Sequence, residues 1–129
     1  MKVEFFAHGS VESPLLLLYG SDPNDAATLS HTFGDLAHAS VTRVAVHELP
    51  GFVSVDGCQL FGSIARSDVG VKMVASPAVF DCALRPETWA NVVGLLEPFS
   101  HPSKARGTQF QFLCDTGDVR LLISTKRAW

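Results

Sequence analysis

Charge is scarce in this chain. Only 18% of its 129 residues are Asp, Glu, Lys or Arg, the formal net charge is −3, and no basic stripe runs along any segment. That composition argues against a general nucleic-acid binder, whose affinity rests on clustered cations. Lys104 with Arg106 and Lys126 with Arg127 form two small basic clusters, whose ordinary reading is solvated loop ends. Cysteine is scarce too: Cys58, Cys82 and Cys114 are odd in number, widely spaced, and never arranged as Cys-x-x-Cys. They read as buried thiols in a reducing compartment, which makes the cytoplasm the expected location. No apolar run is long enough for a membrane span. Leu15–Tyr19 is the densest, and it follows Glu12-Ser13-Pro14, which is not the layout of a signal peptide. No glycine-rich run leads into a helix, so nucleotide sites of the Rossmann or P-loop kind are excluded and no cofactor is expected.

What is present is core. Hydrophobic residues make up 47% of the chain, and its length suits one domain spanning 1–129. So little polar surface predicts an exposed apolar patch closed by contact with a protein partner, most simply a second copy.

The local patterns alternate between strand and helix. Val3–Ala7 is predicted as a strand, and Leu15–Tyr19 as a short strand covered on both faces. Ser21-Asp22-Pro23 supplies a cap and a first-turn proline for a helix over about 23–38, with Ala26, Leu29, Phe33, Leu36 and Ala37 at helical spacing. Strands are expected over 41–49, 52–55, 58–65, 71–74 and 79–84, the middle ones as an antiparallel meander. Arg85-Pro86-Glu87 opens a second helix with an apolar stripe of Trp89, Val92, Val93 and Leu96. A polar loop over 101–107 follows. Thr108–Cys114 and Val119–Ser124 then form a hairpin around Asp115-Thr116-Gly117-Asp118. Strict alternation puts Phe110, Phe112 and Cys114 with Val119, Leu121 and Ile123 on the core face. The opposite face then carries Leu113 and Leu122 with Gln109, Gln111 and Arg120. Strand–helix–strand occurs twice, each helix opened by proline and interrupted by glycine (Gly34, Gly94), which hints at a doubled, ferredoxin-like unit.

Three patterns suggest chemistry. Asp115-Thr116-Gly117 resembles the active-site triplet of aspartic proteases, but in retroviral-type members a further lobe of strands follows it, and here twelve residues do. A turn explains the triplet by itself. His31, Asp35 and His38, at i, i+4 and i+7, share a helix face that could hold a divalent ion, although that face lies opposite the apolar stripe, so no metal is expected. Cys58, after the Asp56-Gly57 turn, could pair as a nucleophile with His47, with the His101 loop nearby.

The sequence therefore predicts an α+β domain: a mostly antiparallel sheet of about six to nine strands, two helices on one face, and a C-terminal hairpin. Its expected role is non-catalytic, a small bacterial-looking cytoplasmic protein that works by protein contact and self-associates, with a toxin-plugging immunity protein as one option in that class. The contact patch is Gln111, Leu113, Arg120, Leu122 and Trp129. The rival is a small enzyme or small-molecule binder using Cys58, His47 and His101, or the His31–Asp35–His38 face.

Overall fold

The computed structural model describes residues 1–102 and 107–129. Most of the polar loop expected over 101–107, with Lys104 and Arg106, lies outside the described residues. The elements in chain order are β1 (Lys2–Phe6), β2 (Leu15–Tyr19), α1 (Pro23–Ala37), β3 (Arg43–Ala45), β4 (Val53–Ser54), β5 (Gln59–Ile64), β6 (Gly70–Ala75), β7 (Val79–Leu84), α2 (Pro86–Leu96), β8 (Phe110–Cys114) and β9 (Arg120–Ser124). Among the described residues no helix is long and apolar enough to cross a membrane.

Both helices start where proline placed them. The Asp22 side chain accepts a hydrogen bond from Asn24 N–H at 2.9 Å, which satisfies one of the free amides of the first turn of α1. Phe33 of α1 meets Trp89 of α2 with ring centroids 4.7 Å apart, and the Trp89 indole N–H donates to Ser63 O at 2.9 Å. Leu36 and Trp89 also crowd Gly62 on β5, where an added Cβ would lie 3.2 Å from both.

The strands form two mixed sheets, ordered β4-β1-β2-β9-β8 and β3-β5-β7-β6, where one mostly antiparallel sheet was expected. Each has a parallel pair at its centre, β2 with β9 and β5 with β7, flanked by antiparallel neighbours. The middle segment is therefore not a meander. β7 inserts between β5 and β6, and β4 leaves to join β1 in the other sheet. Burial explains the insertion: Phe80, Cys82 and Leu84 bury one face of β7, whereas β6 is exposed from Lys72 to Ala75 and suits an edge.

The strand order bears on the doubled unit but establishes no ferredoxin-like arrangement. Exchanging β1β2α1β3β5 for β6β7α2β8β9 converts β1-β2-β9-β8 into β6-β7-β5-β3, which is the second sheet, with every pairing direction retained. Each half thus contributes its first two strands to one sheet and its last two to the other.

Both sheets and both helices share one core, and Phe5 of β1 contacts Phe80 of β7 at 4.6 Å between centroids. In β2, Leu16 and Leu18 enter that core. Leu15 and Leu17 face the other way and join Leu122 in a second cluster beneath Phe6, Tyr19, Phe112 and Trp129. All four leucines are fully buried, as a strand covered on both faces requires.

Candidate functional site

The outer face of the five-stranded sheet is roofed by the last residues of the chain. Ser124 Oγ–H donates to Ala128 O at 2.6 Å, turning the segment back over β9. Arg127 then reaches the buried Glu4 on β1 with two hydrogen bonds, Nε to Oε1 at 3.0 Å and Nη2 to Oε2 at 2.7 Å. The Tyr19 hydroxyl donates to the same Oε1 at 2.8 Å. Arg127 holds the Glu4 carboxyl below its usual range against the opposing effect of burial, and burial followed by the Glu4 contact raises the Tyr19 phenol. Arg127 is an exposed loop-end residue, as expected, but its guanidinium is engaged by Glu4. Trp129 packs edge-on against Phe6 at 5.1 Å, and its indole N–H donates to Glu12 at 3.3 Å.

Beside this roof lies a shallow groove of about 610 Å³, lined by Val11, Glu12, Phe110, Phe112, Arg127 and Trp129 among others. Val11 is 91% exposed and Phe110 49% exposed, so two large apolar side chains face solvent along its rim.

The groove's make-up differs from the patch expected on the hairpin. Leu113 is 5% exposed and belongs to the main core, and Leu122 is fully buried under the roof, so neither is open to a partner. Leu122 keeps the expected outer face and is covered from above, whereas a β-bulge accounts for Leu113. Phe112 pairs with Leu122 but Cys114 pairs with Leu121, which leaves Leu113 as the extra residue and turns both Leu113 and Cys114 inward. Phe110 and Phe112 consequently share the outer face with Leu122. Arg120 stays exposed there, its guanidinium 6.0 Å from the Phe112 ring centroid, and the half-buried Gln111 donates from Nε2 to Phe112 O at 3.0 Å. Trp129 is half-buried at the groove.

The residues of the enzyme reading have unlike surroundings. Cys58 is buried, and burial pushes its thiol up to about 11, the opposite of an activated nucleophile. His47 Nδ1 accepts Leu60 N–H at 3.1 Å and its ring stands edge-on to Phe61, which gives the imidazole a structural role. His101 is exposed and bonded to Glu97 at 2.8 Å. It lines a separate 260 Å³ cavity with Met1, Phe99, Gln109 and Lys126, where neither Cys58 nor His47 is found. On α1, His31 Nε2 and Asp35 Oδ2 are 4.0 Å apart on the solvent side, and among the described residues no group of three ligands could hold a metal ion.

Asp115-Thr116-Gly117 has a structural role that sequence reasoning did not find. Val71 N–H donates to Thr116 O at 3.1 Å and Asp118 N–H donates to Val71 O at 2.9 Å, so this turn docks on β6 and ties one sheet to the other. No protein-family model, no curated protein and no solved structure matches the chain.

Proposed function

We propose that the protein acts through protein contact, pairing with a second copy of itself along the open edge of β8. The observation that carries this reading is Phe110, half exposed on a strand that ends its sheet. Thr125 N–H donates to Gln109 O at 2.9 Å, so alternation turns the backbone groups of Phe110 and Phe112 away from β9. Gln111 caps the Phe112 carbonyl, while among the described residues the Phe110 amide and carbonyl have no backbone partner and would suit a partner strand.

A second copy suits this edge better than a charged partner does. The chain carries no charge from Gly107 to Cys114, so two antiparallel copies of β8 oppose no like charges. The pairing is two-fold symmetric and would join two five-stranded sheets into one, with the Val11–Phe110–Trp129 groove beside the seam. The three free thiols suit the reducing cytoplasm, where we place this association.

Light scattering coupled to size exclusion tests the reading. Wild type is expected as a dimer, and Phe110→Lys as a monomer with an unchanged circular-dichroism spectrum. Phe110→Pro removes an outward N–H along with the exposed ring and should also be monomeric. A monomeric wild type at high micromolar concentration overturns the proposal.

A further inference from the structure

We infer that Arg127 sets the strength of the pairing: clamped to Glu4, it holds Trp129 as one wall of the groove beside β8, and Phe110 of the second copy packs into that groove. The inference rests on the self-pairing proposed above and adds the contact that governs its affinity. Residues 125–129 have no helix or strand of their own, so side chains must fix them. Arg127 makes two hydrogen bonds to Glu4, at 3.0 and 2.7 Å, and its guanidinium lies 5.0 Å from the Phe6 ring centroid. Trp129 stands edge-on to the same Phe6 ring at 5.1 Å and donates to Glu12 at 3.3 Å. Phe6, Phe112 and Trp129 all pack on the buried cluster of Leu15, Leu17 and Leu122.

The groove suits a neutral aromatic side chain. Its two charged groups are already engaged, Arg127 by Glu4 and Glu12 by the Trp129 indole, so what it offers is chiefly the apolar surface of Val11, Phe110, Phe112 and Trp129. The second copy brings an uncharged strand to it, because residues 107–114 hold no charge.

Symmetry brings the two together. In an antiparallel pair centred on Phe110 the two-fold axis stands perpendicular to the sheet, so both outer faces lie on the same side. Phe110 of one copy then sits directly opposite Phe110 of the other and diagonal to its Phe112, within reach of both groove residues. Each copy fills the other's groove. Trp129, resting on Phe6 of β1, backs the contact from the side remote from the seam.

Sedimentation velocity over a concentration series measures the dissociation constant and tests the inference. Arg127→Ala should weaken pairing about tenfold with an unchanged circular-dichroism spectrum, since its side chain is exposed. In a Trp129→Ala background the same substitution should cost nothing further, because Arg127 acts by holding the indole. Val11→Asp, almost fully exposed on the groove's rim, should weaken pairing comparably, and it decides the matter should Arg127→Ala not fold. A dimer that Arg127→Ala or Val11→Asp leaves at wild-type strength overturns this inference alone. So does an Arg127→Ala loss as large without Trp129 as with it. A monomeric wild type overturns it together with the self-pairing.

Discussion

Gly70 and Gly117 meet backbone to backbone where the 115–118 turn crosses β6. Both have positive φ, +83° and +96°. A Cβ on Gly117 would sit 2.5 Å from Val71 O, and one on Gly70 would run into the carbonyl of Thr116. Neither glycine can carry a side chain without parting the two sheets.

Gly70→Ala and Gly117→Ala should therefore each cost about 2–5 kcal/mol, combining left-handed strain with a collision against backbone that cannot yield. Urea unfolding of each variant measures it, and a loss below 1 kcal/mol in either would contradict this account of the junction.

Gly34 and Gly94 predict the reverse. Each lies inside a helix, and a Cβ there meets nothing within 4 Å. Alanine at either position should stabilise the protein by about 0.5–1 kcal/mol through helix propensity and a less flexible unfolded chain. The shift in urea midpoint reports it, and a neutral or negative result would mean that the open space beside these residues is needed by something else.

The roof over the outer sheet should respond to acid. The Glu4 carboxyl is held below its ordinary value of 4.5, chiefly by the Arg127 hydrogen bonds. The unfolded chain therefore takes up the proton first as pH falls. The contribution of this contact is complete above about 4.5 and is lost as pH drops through the lower folded value. Trp129 indole resonances should show the segment leaving Phe6 in that range, and Glu4→Gln should loosen it already at neutral pH. An indole signal unchanged between pH 7 and acid unfolding would count against the contact.

Alkali should act through Cys58. Its thiol is raised from 9.0 to about 11 by burial, so the folded state holds its proton when the unfolded state has released it. Stability from this source is complete below 9 and declines as pH rises towards 11. Cys58→Ala should flatten that part of the pH profile while lowering stability at neutral pH by about 1 kcal/mol through the small cavity it leaves. An identical alkaline slope in wild type and variant would assign the loss to another group.

Much of the local structure was legible. Proline marked both helix starts, with an Asp cap at the first alone, Leu15–Tyr19 declared a strand buried on two faces, and Trp89 lay in the core stripe as its spacing implied. The hairpin was legible as a hairpin but not in its register. One extra residue at Leu113 exchanges the faces, and no turn residue in the sequence announces a bulge. The groove was missed for the same reason, since Phe110 and Phe112 had been given to the core. Trp129 at the chain end was the one signal that pointed there.

By itself the sequence determined what short range can decide: both helices with their starts and most of the strands, though the strand expected over 41–49 is one only at Arg43–Ala45 and turns into a 3₁₀ helix at Val46–Glu48. Those properties follow from dihedral preference and side-chain period, and neighbouring residues suffice to set them. Only the tertiary structure decided that β7 inserts between β5 and β6, that β2 runs beside β9, that Gly70 faces Gly117, and that Arg127 closes on Glu4. Those partners lie tens of residues apart in the chain or more. They are selected by which buried faces fit together, and no local pattern records that choice.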